Sequence, residues 1–230
     1  METQEFSETF PLFHNLETET LEWLLSMTET ESYDPQEILF SEESWGRGVD
    51  FIVSGWVKLE NVRGEERNTI EIIGPGGFVG EAAILGNVAS GSRVVAISPV
   101  ESLTIPAQRF LQILHQDIQI QHRLLKLMVE KVGEYQRYCQ FYRQPPKVRL
   151  ATVLISLADK YGETGQRGIE LFNFPRQDLA SLAQLSLDEC LQVMAKFENK
   201  GIIATDEDSE RLLLCNIKQL HHIVGKLGGD

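Results

Sequence analysis

Residues 73–85 read Ile-Gly-Pro-Gly-Gly-Phe-Val-Gly-Glu-Ala-Ala-Ile-Leu, four glycines and a proline that deliver one carboxylate, Glu81, into an apolar run. Glycines remove the Cβ that would hold a ligand away from backbone N–H groups. Two or three such groups beside a carboxylate can bind a phosphate and a hydroxyl together. Gly80, Glu81 and Ala82 are therefore candidate effector contacts. A tight inter-strand turn with a capping glutamate is the other reading of this segment taken alone.

A second constellation lies about a hundred residues downstream, in residues 174–203. Apolar periodicity there predicts two short helices around a turn at 184–186, with Leu179, Ala180 and Ala183 facing Leu191, Met194 and Phe197. Ser186 followed three residues later by Glu189 is a capping-box pattern that starts the second helix, and Gly201 ends it. Residues 202–205 and 211–215 predict a β-hairpin wing. This is helix-turn-helix spacing, with a plain helical hairpin in a small α+β domain as the alternative.

Other elements must position these two groups. Residues 10–27 predict one or two short helices with Leu16, Leu21, Trp23, Leu24 and Leu25 on the apolar face. Short strand-like runs follow at 38–40, 50–53, 56–60, 69–73, 94–97 and 101–105, the pattern of a small antiparallel barrel or jelly roll. The period then changes. Between 110 and 142 there is no proline, and Ile118, Gln121, Leu125, Met128, Val132, Tyr135, Cys139 and Tyr142 alternate steps of three and four. That is a heptad seam able to pair with a copy of itself; packing on the barrel is the other reading, and the two can hold on opposite faces. Gln144-Pro145-Pro146 stops the helix and predicts a hinge.

With 230 residues and 42% hydrophobic content, the chain can bury one large core or two modest ones. No run approaches the length of a membrane span and the N-terminus is acidic, so the expected location is cytoplasmic. Cys139, Cys190 and Cys215 lack metal or disulfide spacing, and reduced, mostly buried thiols are expected. Residues 1–144 carry 11 Lys and Arg against 22 Asp and Glu, and residues 145–230 carry 10 against 12. The acidity thus belongs to the first part, which repels nucleic acid, while the second is nearly neutral. His115 and His122 read as solvated helix residues rather than haem or metal ligands. No G-x-S-x-G, H-E-x-x-H or Walker loop occurs, so no catalytic residue, metal site or enzymatic activity is assigned.

From about Phe13 onward the chain resembles the cyclic AMP receptor protein / fumarate-nitrate regulator family of bacterial transcription regulators. The resemblance runs through E-I-L-F, F-I-V-S-G-W-V-K-L, G-P-G-G-F-V-G-E-A-A-I-L, I-S-P-V-E-S-L-T-I, V-R-L-A-T-V-L and the helix-turn-helix. It implies an α+β fold in three parts. These are an N-terminal antiparallel β-roll sensor of the cyclic-nucleotide-binding type (1–109), a long dimerisation helix (110–144) and a C-terminal winged helix-turn-helix (145–230). The seam residues Ile118, Leu125, Met128, Val132, Tyr135 and Cys139 would join two copies. The implied partners are a second copy of the chain, double-stranded DNA carrying a palindromic operator, and RNA polymerase, with no membrane.

Carried over residue by residue, the resemblance departs at two places. Cyclic-AMP-responsive members follow the Gly80 and Glu81 positions with an Arg-Ser pair whose guanidinium meets the cyclic phosphate. Here those positions hold Ser90 and Gly91. Arg93 lies three residues on and, in a strand, faces the other way. Tyr135 and Gln136 replace the small hydroxyl residues that meet adenine. An unpaired buried phosphate costs several kcal/mol, so the expectation is no standard cyclic AMP site and an unidentified effector, or none.

On the second helix of the helix-turn-helix, the positions that read bases hold Leu187, Asp188 and Gln192. They suit a thymine methyl, cytosine N4 and adenine N6/N7 respectively. Arg176 fits a phosphate contact, with Ser181, Ser186, Lys196 and Lys200 as phosphate neighbours. Gln184 replaces the usual turn glycine. The expected function is a homodimeric DNA-binding regulator. The alternatives are a regulator of the same fold that works through a protein partner, and a small-molecule-binding regulatory subunit of an enzyme.

Overall fold

Alternating apolar residues build the first part of the chain around two antiparallel sheets. The computed structural model describes residues 2–86, 91–206 and 211–225. Helices α1 (Thr3–Thr9) and α2 (Thr18–Leu25), with a 3-10 turn at Pro11–Phe13 between them, precede strands β1 (Glu29–Tyr33), β2 (Ile38–Phe40), β3 (Gly48–Ser54), β4 (Val57–Arg63), β5 (Glu66–Ile73) and β6 (Phe78–Val79). Then come helix α3 (Glu81–Leu85), strands β7 (Ser92–Ala96) and β8 (Val100–Pro106), and helices α4 (Ala107–Gln116) and α5 (Ile118–Cys139).

The strands form two four-stranded sheets, β1-β8-β3-β6 and β2-β7-β4-β5. Strand periodicity gives each sheet two distinct faces. Val94, Ala96 and Ile52 pack in the core between the sheets, while Val49, Phe51, Leu103 and Ile105 pack on the other face, against Phe6, Phe10, Phe13 and Phe110.

All six predicted strand runs fall within or overlap these strands. β1 and β6 were not predicted. β1 reads Glu-Thr-Glu-Ser-Tyr and lacks apolar alternation, and it is held by its register on β8, from Glu29 opposite Thr104 to Tyr33 opposite Val100. The run 110–142 also differs, because it is two helices rather than one. Asp117 adopts an extended conformation (φ −120°, ψ 107°) and its Oδ1 accepts from the Gln119 and Ile120 N–H groups at 2.7 and 3.2 Å. A short carboxylate there caps a new helix instead of continuing the old one. α5 ends at Cys139, before the prolines, in a 3-10 turn at Phe141–Arg143.

The chain divides into two compact units, Met1–Gly133 and Glu134–Asp230. The second contains the end of α5, then α6 (Pro146–Tyr161), β9 (Glu163–Gly165), β10 (Gly168–Phe172), α7 (Arg176–Leu182), α8 (Leu187–Asn199), β11 (Ala204–Asp206), β12 (Arg211–Leu214) and α9 (Ile217–Gly225). Its sheet runs β11-β12-β10-β9, so the expected wing hairpin is joined by a second hairpin that precedes the helix pair. Among the described residues no helix is long and apolar enough to cross a membrane.

Candidate effector pocket and nucleic-acid interface

β5 ends at Ile73, the glycine-rich turn follows, and two residues of β6 lead into α3. Gly80 caps α3 with φ +107°, and a Cβ there would stand 2.5 Å from the Gly48 carbonyl. Only glycine fits, because the left-handed backbone and the close approach both exclude a side chain. Glu81 follows at 5% exposure, and Ala82 is exposed. The Glu81 carboxylate has an internal partner, since Lys131 Nζ of α5 lies 3.1 Å from its Oε1. Lys131 also lies 3.5 Å from Glu71 Oε2. Nothing in the sequence spacing pointed to Lys131, which is 50 residues away.

Ser90 lies outside the described residues. Gly91 has φ +78° and a Cβ there would meet the Val62 carbonyl at 2.5 Å. Arg93 sits in β7 between Ser92 and Val94, opposite Glu60 of β4. Since Val94 and Ala96 belong to the inner core, Arg93 is on the other face, and its Nε donates to Glu60 Oε1 at 2.6 Å. Glu60 is buried and also pairs with Lys58 at 3.3 Å. Arg93 is thus committed to a buried carboxylate. Tyr135 and Gln136 are exposed on the part of α5 that belongs to the second unit.

Two further polar features occupy the roll. Asp50 is buried at 2% exposure and accepts from Thr104 Oγ1 at 2.7 Å, yet its pKa is pushed up to about 6. Loss of hydration is the main cause and the Glu31 charge adds to it, while the Thr104 bond opposes both. An open cleft of about 490 Å³ is lined by Ser32, Tyr33, Asp34, Glu37, Ser54, Pro99, Val100 and Glu101. Three carboxylates without a lysine or arginine make a poor seat for a phosphate.

α5 presents Ile118 (75% exposed), Leu125 (63%), Val129 and Val132 to solvent, with Cys139 also exposed. Ile120 and Leu124 are buried in the roll's helix-facing core, and Leu127 and Met128 pack against it. Met128, expected on the seam, instead leans toward the roll core, and Val129 lies on the exposed stripe. Both His115 and His122 are exposed. The thiols also depart from expectation, because only Cys190 is buried, and burial pushes its pKa up.

In the second unit the capping box forms as its residues predict. Ser186 Oγ accepts from the Glu189 N–H at 3.2 Å, and the Ser186 N–H donates to Glu189 Oε2 at 3.0 Å. These bonds hold the exposed Glu189 carboxyl below its usual pKa. Gln184 takes φ +53°, a cost of about 1 kcal/mol for a residue with a Cβ. The turn is tied down by its carbonyl, which accepts from Arg149 Nη1 at 2.6 Å, and by its own amide, which donates to the Tyr138 carbonyl at 3.2 Å.

α8 buries Cys190, Val193, Met194 and Phe197. Leu191, expected in that interface, is instead 44% exposed. Helical geometry puts it beside Leu187 (39% exposed), so the outer face carries Leu187, Asp188, Leu191, Gln192 and Lys196 together. The Leu187-to-Leu191 spacing of four was the available signal. Arg176 is half-buried at the start of α7. It donates to Asn173 Oδ1 (2.9 Å), the Phe174 carbonyl (3.2 Å) and Thr205 Oγ1 of β11 (3.2 Å), and Thr205 in turn donates to Glu198 of α8 (3.1 Å). Arg176 thus fastens the first helix to the wing.

Two family models match the chain, the cyclic nucleotide-binding domain over residues 30–117 and the Crp-like helix-turn-helix domain over 148–223. The cyclic AMP receptor protein of Thermus thermophilus is 24% identical over 197 residues, 84% of this chain and 88% of that protein. The solved structure of FixK2 from Bradyrhizobium japonicum is similar with a TM-score of 0.72 and 17% identity, covering 85% of this chain and 96% of that one. A second CRP/FNR-family transcriptional regulator from Thermus thermophilus, TTHA1359, is similar with a TM-score of 0.64 and 20% identity, covering 86% and 98%. The strands of the roll fall in the first match and the helix pair with its wing in the second. The chain belongs to the cyclic AMP receptor protein / fumarate-nitrate regulator family of transcription regulators.

Proposed function

We propose that this protein is a homodimeric, operator-binding regulator whose roll does not take cyclic AMP in the standard way. The observation that carries the DNA reading is the outer face of α8. A capped helix presents Leu187, Asp188, Gln192 and Lys196 on its exposed face beside the wing. Such a helix suits the major groove, where Gln192 pairs with adenine, Asp188 accepts from cytosine and Leu187 meets a thymine methyl.

Support for the dimer comes from Ile118, Leu125, Val129 and Val132, large apolar side chains exposed along one stripe of α5. A second copy covering that stripe would bury it as a coiled coil and set two recognition helices on a palindrome. Support against standard cyclic AMP binding comes from Arg93, engaged by Glu60, and Glu81, engaged by Lys131. As a regulator of this kind the protein would act in the cytoplasm and meet RNA polymerase at promoters.

Selection from random duplexes tests the DNA reading directly. The expected result is an enriched palindrome with half-sites about one helical turn apart. If no palindrome is enriched, the reading fails. The exposed Leu187 and Leu191 pair then favours a protein partner for α8.

A further inference from the structure

Lys131 closes a three-sided seat. Its ammonium lies 3.1 Å from Glu81 Oε1, 3.5 Å from Glu71 Oε2 and 5.7 Å from the centre of the Phe78 ring. The lining comes from three separate elements, Glu71 on β5, Phe78 on β6 and Glu81 at the start of α3, while α5 supplies the cation. The roll-facing side of α5 is apolar at Ile120, Leu124 and Leu127, in steps of four and three. One more step of four reaches Lys131. The stripe turns cationic where the roll presents two carboxylates, and Lys131 is the last side chain of that stripe before the first unit ends at Gly133.

Both carboxylates are largely shielded, at 7% and 11% side-chain exposure, and Lys131 itself is at 24%. Charges that far out of water need a partner, so removing the ammonium takes from Glu81 its ion pair and from Glu71 one of its charge contacts. The aromatic face of Phe78 adds a further attraction for the cation. The ammonium leaves the Glu81 carboxylate occupied, and the Glu71 carboxylate beside it disfavours an incoming anion. A hydroxylated ligand that needs Glu81 as its acceptor must first displace Lys131.

We propose that Lys131 is the specificity-determining residue of the Glu81 site. It acts as a ligand supplied by the chain itself, closes the site to small hydroxylated anions such as nucleotides, and clamps α5 to the glycine-rich turn without an effector. The inference rests on the regulator reading of the roll, yet its test needs no DNA. An outcome that supports the clamp while no operator is found would overturn the regulator reading alone.

Hydrogen exchange of the full chain, read on peptides covering 78–86 and 120–133, tests it. K131M is expected to exchange about tenfold faster in both peptides and K131R close to wild type, with β10 in the second unit unchanged. In the wild type, raising sodium chloride from 0.1 to 1 M should speed the same two peptides, because ion pairs at this exposure are partly screened. E81Q should reproduce the K131M effect on α5. Wild-type exchange in K131M overturns the proposal. If K131M loses structure throughout, the salt response of the wild type decides, and exchange in 78–86 and 120–133 that ignores salt overturns it equally.

Discussion

Arg93 Nε donates to Glu60 Oε1 at 2.6 Å, across neighbouring strands and 33 residues along the chain. The pair assigns the nearest guanidinium in this part of the sequence to a buried glutamate. Without it, the roll offers a cyclic phosphate no bidentate partner from this strand.

Millimolar cyclic AMP should therefore leave the melting temperature unchanged. A ligand at a hundredfold excess over its Kd would add about 2.7 kcal/mol, a shift easily read by calorimetry. A clear rise in Tm would show that another group meets the phosphate. Installing an Arg-Ser pair at 90–91 should not be neutral. Gly91→Ser places a Cβ 2.5 Å from the Val62 carbonyl at φ +78°, and a destabilisation of about 1–3 kcal/mol is expected by denaturant titration. Ser90→Arg with Gly91 retained is the cleaner variant.

The exposed stripe of α5 predicts that Leu125→Asp with Val132→Asp yields a monomer by sedimentation, with the fold of each chain retained. Four carboxylates would enter one interface at about 2 kcal/mol or more each when desolvated. Met128→Asp should behave differently and unfold the roll, since Met128 packs against its core. A double variant that still sediments as a dimer places the interface elsewhere.

Asp50 makes stability depend on pH in a defined direction. Its folded pKa is about 6 against an ordinary 3.8, so the folded state holds the proton more tightly than the unfolded state. The folded protein is favoured by this group below pH 3.8, loses that advantage between about 4 and 6, and carries a constant cost above 6. Two pKa units correspond to about 3 kcal/mol. Asp50→Asn keeps an acceptor for Thr104 and removes the charge. The variant should melt higher than wild type at pH 7 and 8, with the gap closing toward pH 4. A gap independent of pH would refute the assignment.

Operator binding should be weak in its salt dependence. About three phosphate contacts per subunit, from Arg176, Lys196 and Lys200, give a dimer a log–log slope near −5. Gln192→Ala should cost about 1–3 kcal/mol of discrimination at one base pair per half-site and leave the slope intact. Arg176→Ala should flatten the slope by about two units per dimer. It should also lower the melting temperature, because Arg176 bonds Asn173, Phe174 and Thr205. A salt slope unchanged in Arg176→Ala would confine this arginine to a structural part.

What the sequence alone determined was carried by short-range pattern. Period-two runs marked six strands, Ser186 and Glu189 marked the start of α8, and Pro145-Pro146 marked the boundary before α6, because each signal is complete within four or five residues. The family was legible as a resemblance, carried by the motifs from E-I-L-F to V-R-L-A-T-V-L in their order. Asp117 was within reach of the same logic, but the absence of proline from 110 to 142 masked a carboxylate that caps rather than continues.

The tertiary structure decided what each charged side chain meets. Lys131 joins Glu81 across 50 residues and Arg93 joins Glu60 across 33, and both depend on how α5 docks and how β4 and β7 align. Likewise Leu191 and Met128 have the right spacing for a buried and an exposed stripe respectively, and the structure places them the other way. Helical periodicity specifies which residues share a face. Only packing against the neighbouring elements specifies which face is covered.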